Sequence, residues 1–131
     1  MVVLDTTFII HFLKNKSGAV RKAEKFSGSF CTTRINVFEV LIGIYFKKTG
    51  ESEVALSRFS DFLRQLKILE LDSHGADYAA KISAELNRTG KTVSHTDVLI
   101  AGIALAHGQD TILTENTAHF SRIKGINVES Y

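Results

Sequence analysis

Val2-Val3-Leu4-Asp5-Thr6-Thr7-Phe8-Ile9-Ile10 is the stretch on which the fold turns. Its apolar, β-branched opening reads as a short buried strand. Phe8, Ile9, Phe12 and Leu13 then recur at helical spacing, which predicts a helix over residues 6–14 with Asp5 or Thr6 as its cap.

The same alternation continues outward from this segment. Residues 18–26 predict a second short helix, 29–31 a strand, and 35–48 a strongly apolar helix that stops at Gly50 and should be mostly buried. Leucine and phenylalanine at Leu56, Phe59, Phe62, Leu63 and Leu66 mark a helix over 52–66, followed by a strand at 68–71. A helix over 76–87 stops near Gly90, and another over 98–107 stops at Gly108, where glycine is the usual terminator. A strand at 111–113, a helical turn within 116–122 and a last strand at 126–128 complete the series. About five short strands alternating with helices imply an α/β fold with a central, mostly parallel sheet covered by helices.

The chain of 131 residues fits one domain, 1–131, without repeats, linkers or low-complexity tracts. No stretch resembles a signal peptide or approaches the roughly 18 apolar residues of a membrane span, so a cytoplasmic location is expected. The single Cys31 cannot form an internal disulfide and reads as a small core residue. A net charge of +2 is too small to argue for nucleic acid. Lys14, Lys16, Arg21, Lys22 and Lys25 nevertheless face only Glu24 locally, either as a solvated helix face or as phosphate contacts.

Three acids sit in core-like surroundings: Asp5 closes the first apolar run, Glu39 interrupts the apolar helix, and Asp97 precedes Val98-Leu99-Ile100-Ala101. Ionised side chains are seldom buried unless paired, hydrogen-bonded or metal-bound. Parallel sheets gather functional groups beyond the carboxyl ends of their strands, where Asp5 stands after the first strand and Glu115 and Asn116 after the fourth. Each position also has a purely structural explanation. Asp5 could be an N-cap; Ser94-His95-Thr96-Asp97 matches a capping box; Asn116 could cap the short helix and Thr114 simply end a strand. Glu39 is harder to explain this way, because its helical neighbours Ile35, Ile42 and Gly43 offer no basic partner.

If the acids meet, repulsion between two carboxylates about 4 Å apart reaches about 4 kcal/mol at an effective dielectric near 20. An oxygen-only donor set suits Mg²⁺ or Mn²⁺, which makes phosphodiester chemistry the natural reaction class. The histidines His11, His74, His95, His107 and His119 are scattered without the spacing of a zinc site, though His95 and His119 lie close enough in sequence to reach the rim of an acidic pocket. No nucleophilic-serine elbow or glycine-rich phosphate loop is present.

Taken in order, Val3-Leu4-Asp5-Thr6, Asn36-Val37-Phe38-Glu39-Val40-Leu41-Ile42-Gly43, Asp97-Val98-Leu99-Ile100-Ala101 and Leu113-Thr114-Glu115-Asn116-Thr117-Ala118-His119-Phe120 closely resemble the PIN-domain ribonucleases over essentially the whole length. Among these they are similar to the VapC-type toxins of type II toxin-antitoxin pairs. The resemblance implies a three-layer α/β/α PIN-like domain and an Mg²⁺- or Mn²⁺-dependent endoribonuclease. Asp5, Glu39 and Asp97 would be its metal site, Asn116 the fourth catalytic position, and Thr6, Thr114 and Glu115 secondary contacts. It also implies a homodimer and a cognate antitoxin partner. Many relatives carry aspartate where Asn116 stands, and Glu115 precedes it here, so either residue can supply the fourth position.

Two other readings are distinguishable. A haloacid-dehalogenase-like phosphatase wants a second acid two residues after the first, where this chain has Thr7. A PIN-like module that binds RNA or protein without cutting would have no use for Glu39 in an apolar helix. RNA selectivity, among tRNA, rRNA or mRNA, would come from loops and basic positions such as Lys14, Arg21 or Lys47.

Overall fold

The computed structural model describes residues 1–26 and 28–131. Its elements run β1 (Val2–Leu4), α1 (Thr6–Leu13), α2 (Ser17–Lys25), β2 (Phe30–Thr33), α3 (Arg34–Phe46), α4 (Thr49–Leu63), β3 (Lys67–Leu69), α5 (Ser73–Arg88), α6 (His95–Ala106), β4 (Thr111–Leu113), α7 (Thr117–Phe120) and β5 (Asn127–Glu129). The five strands form one sheet in the order β3-β2-β1-β4-β5, and every neighbouring pair is parallel. Between β1 and β4 the strand order reverses direction, which is the point where open parallel sheets bind ligands.

Because side chains alternate across a strand, the two faces of the sheet seed separate cores. Val3, Cys31, Leu69 and Ile112 face one way and pack with Ala79 and Leu86 of α5, several residues of α6, and Phe120 of α7. Val2, Leu4 and Leu113 face the other way against Phe8 and Ile9 of α1, Ala19 of α2, Val37, Val40 and Ile44 of α3, and Phe59 of α4. The result is the expected three-layer α/β/α arrangement. Cys31 is fully buried in the first core, and burial pushes its thiol up to about 11, in keeping with a packing role.

Helices α5 and α6 approach closely at Gly102, where an added Cβ would stand 2.7 Å from both the Cβ and the backbone nitrogen of Ala79. Gly108 takes a φ of 74° just beyond α6, the left-handed conformation that suits glycine at a helix end. Among the described residues, no helix is long and apolar enough to cross a membrane.

Two expectations need correction. Helix α3 is not mostly buried: Asn36, Val37, Val40 and Ile44 face the protein, while Phe38, Ile42, Tyr45 and Phe46 are exposed, Phe46 to 92%. The helix lies in an outer layer, and such a helix can bury only one face on its own subunit. Gly50 does not terminate α3 either, since that helix ends at Phe46 and Gly50 lies in the first turn of α4. Two extended residues, Lys47 and Lys48, make the break instead.

Candidate active site

Asp5 sits at the carboxyl end of β1, and its backbone amide donates to the carbonyl of Leu113 on β4, 3.0 Å away. Its side chain is only 2% exposed. Although Asp5 occupies the N-cap position of α1, its carboxylate makes no side-chain capping bond. The Thr114 hydroxyl donates to Oδ2 at 2.6 Å, and the Asn36 side-chain amide donates to Oδ1 at 3.1 Å. Asp5 therefore aims its carboxylate at Thr114 and Asn36 rather than at the second or third amide of α1 as a side-chain cap would, and Thr114, fully buried at the end of β4, does more than end a strand.

Glu39 reaches the same region from α3. The Thr6 hydroxyl donates to Glu39 Oε1 at 2.7 Å and accepts from Asn36 Nδ2 at 3.1 Å. Asp5 and Glu39 are thus joined through Asn36 and Thr6 in one hydrogen-bonded network. Among the described residues Glu39 has no Lys or Arg partner. Its helical position gives it no cationic neighbour, and among the described residues the tertiary structure adds no Lys or Arg pair.

Asp97 lies in the first turn of α6, where its backbone amide donates to Ser94 Oγ at 3.3 Å. Ser94 performs its half of the predicted capping box, while the Asp97 carboxylate meets His119 Nδ1 at 3.5 Å. Of the two histidines that could reach the rim, His119 does so.

Asn116 and Glu115 diverge. Asn116 is exposed at the N-cap of α7, makes no side-chain capping bond, and donates its backbone amide to Thr114 Oγ1 at 2.9 Å. Glu115 is exposed and leans toward α1: its backbone amide donates to Thr7 Oγ1 at 3.3 Å and its carboxylate stands 3.9 Å from His11 Nε2. The Tyr131 hydroxyl meets His11 Nδ1 at 2.7 Å, and the Tyr131 ring stacks edge-on against Phe8. The basic stretch is partly consumed by structure, because Lys22 pairs with Glu129 at 2.8 Å and Arg21 bonds back to Ser17.

Electrostatics single out Asp5. Its carboxyl is raised from 3.8 to about 6, mainly by burial and to a smaller extent by the charges of Asp97 and Glu39, against the lowering effects of the Thr114 hydroxyl and the Thr6 amide. The two charge contributions mean that the three acids share one electrostatic neighbourhood. Among the described residues, no three His, Cys, Asp or Glu side chains stand close enough together to hold one ion directly. The donors are all oxygens and carry uncompensated negative charge, which fits a hard divalent cation held through one or two carboxylates with water completing its shell.

The sequence does not single out Asn36 as a site residue. Its signal is the Thr-x-x-Asn spacing at the start of α3, which forms a reciprocal capping box, and its placement one turn before Glu39.

A PIN-domain family model matches residues 2–126. The chain is 33% identical to the tRNA(fMet)-specific endonuclease VapC of Shigella flexneri, covering 98% of this chain and 96% of that protein. In fold it is similar to DNA-bound VapBC from Salmonella typhimurium (TM-score 0.85, 32% identity, 99% of this chain and 98% of that one). VapBC2 from Rickettsia felis, bound to a promoter DNA fragment, superposes with a TM-score of 0.88 at 24% identity over 100% of this chain and 99% of that one. The shared fold, the full-length match and the position of the acids at the sheet's switch point together make the chain a PIN-domain protein of the VapC family.

Proposed function

We propose that the chain is an endoribonuclease that uses Mg²⁺ or Mn²⁺ and acts in the cytoplasm as the toxin of a type II toxin-antitoxin pair. The observation that carries this reading is the buried Asp5 carboxyl beside the β1/β4 switch point, joined to Glu39 through Asn36 and Thr6 and feeling the charge of Asp97. The names of the VapC relatives, endonuclease and ribonuclease, support the same activity.

In this reading Asp5, Glu39 and Asp97 would hold the cation, one or two of them directly and the rest through water, and the ion would supply activation of a water and neutralisation of charge on the scissile phosphate. The protein's own task is to fix the acids. Thr114 and Asn36 aim the two oxygens of Asp5, Thr6 aims Glu39, and His119 lies beside Asp97. Exposed Asn116, whose backbone amide binds the same Thr114 hydroxyl that holds Asp5, is assigned the fourth position in this reading, because Glu115 is turned toward His11.

The antitoxin reading rests on VapBC complexes among the structural relatives and on an apolar cleft between α1, α3 and α4. That cleft, of about 650 Å³, has Ile10, Val40 and Ile44 among its lining residues and carries Lys14, Lys47 and Arg58. It suits an apolar segment bearing acids. The outward stripe of Phe38, Ile42, Tyr45 and Phe46 supports a homodimer, since exposed apolar surface of this kind marks contact sites.

The test is incubation of the purified protein with total RNA and with tRNA, with Mn²⁺, Mg²⁺ or chelator, followed by sequencing of the cleaved ends. Metal-dependent cuts that disappear in Asp97→Asn are expected; RNA left intact in the presence of either metal would refute the activity.

A further inference from the structure

We infer that Asn36 is a positioning residue that makes Asp5 and Glu39 act as a unit. This inference rests on the ribonuclease reading. Asn36 is fully buried at the start of α3, and all four hydrogen-bonding valences of its side-chain amide are used. Oδ1 accepts from the Thr33 backbone amide at 3.3 Å and the Thr33 hydroxyl at 2.7 Å. Nδ2 donates to Asp5 Oδ1 and to Thr6 Oγ1, each at 3.1 Å.

This arrangement fixes the amide's orientation. A flipped amide would aim its carbonyl at the Asp5 carboxylate and its donors at the Thr33 amide, losing three favourable contacts for none gained. The threonine hydroxyl, having accepted from Asn36, is left to donate its one hydrogen to Glu39 Oε1 at 2.7 Å. One buried amide nitrogen thereby aims one oxygen of Asp5 directly and one oxygen of Glu39 through Thr6. Nothing else ties these two acids together by direct hydrogen bonds among the described residues.

The two halves of the Asn36 amide have separable duties. The Oδ1 half completes the capping box with Thr33 and serves the helix. The Nδ2 half faces the acids and serves the site. Asn36→Asp keeps the shape and the acceptor toward Thr33 while deleting both donors, and Asn36→Ala removes both halves. Thr33→Val removes the cap hydroxyl while leaving both donors in place.

The experiment measures RNA cleavage, Mn²⁺ binding by the RNA-free protein, and thermal stability for wild type and these variants. Partners that orient metal-binding groups commonly contribute 10–100-fold. Both Asn36 variants are therefore expected to lower kcat at least 10-fold with KM changed less than about twofold, and Asn36→Ala to weaken Mn²⁺ binding by a similar factor. Thr33→Val should lower the melting temperature but retain kcat. Thr6→Val combined with Asn36→Ala should be little worse than Asn36→Ala alone, because both interrupt the same path to Glu39. Folded Asn36 variants that cleave and bind Mn²⁺ like wild type would overturn this assignment while leaving the ribonuclease reading intact. So would activity that falls in step with stability across the Thr33 and Asn36 variants. A wild-type protein that cleaves no RNA would overturn both.

Discussion

Replacing Asp5 by asparagine should abolish cleavage and, in the absence of metal, stabilise the protein. Burial and the neighbouring charges of Asp97 and Glu39 raise the Asp5 carboxyl from 3.8 to about 6. Between those values the folded protein binds a proton that the unfolded chain releases, so stability falls as pH rises through the window and the full penalty applies above pH 6. A displacement of that size corresponds to about 3 kcal/mol at pH 7. Asparagine removes the charge at the same shape. One of the two donors now aimed at the carboxylate, Thr114 at 2.6 Å or Asn36 at 3.1 Å, would face an amide nitrogen, which takes back about 1 kcal/mol. The net expectation is a gain of about 1–2 kcal/mol at pH 7, measured by urea denaturation with a chelator present. At pH 4 the wild-type carboxyl is already protonated in the folded state, so the gain should vanish or reverse. A variant that is destabilised at pH 7 by as much as at pH 4 would refute the reasoning, because Asp5 would then be supporting the fold rather than straining it.

Other outcomes follow from particular contacts. Thr114→Val deletes the strongest hydrogen bond that holds the Asp5 carboxyl down, so the acid limb of the cleavage pH profile should move upward and the rate fall 10–100-fold; an unshifted profile would remove Thr114 from the site. Gly102→Ala should cost about 1–2 kcal/mol despite alanine's better helix propensity, since its methyl meets the Ala79 backbone at 2.7 Å, and chemical denaturation reads this directly. Gly43→Ala, with nothing within 4 Å of the added carbon, should instead stabilise α3 by up to about 1 kcal/mol. Phe46→Asp should shift the protein toward monomer in light scattering if the exposed face of α3 is a subunit contact, with the melting curve of the monomer little changed.

The residues differ in how much of their role the sequence revealed. Glu39 was conspicuous because an unpaired acid in an apolar helix violates a local rule, and local rules are readable from one chain. Asp5 and Asp97 were ambiguous, since each also fitted a helix cap, and only the contacts of their side chains separate the two duties. Asp5 lends its carboxylate to Thr114 and Asn36. The Asp97 amide is capped by Ser94 while its carboxylate meets His119. Asn36 stayed hidden because its partners lie 30 and 31 residues away, and a polar residue near a helix start is ordinary in sequence. The apolar sequence of α3 predicts burial, yet periodicity cannot tell a core face from a face awaiting a partner.

By itself the sequence determined the alternation of five strands with helices, the parallel sheet and the three acids that do not suit their surroundings. These are set by hydrophobic period, glycine stops and the cost of burying charge, all of which act over a few residues. The tertiary structure alone decided that β1 and β4 lie side by side at the switch point, bringing Asp5 against Thr114 across 109 residues of chain. It also decided which oxygen receives which proton, because hydrogen bonds depend on distances of about 3 Å that strand order and helix placement fix together.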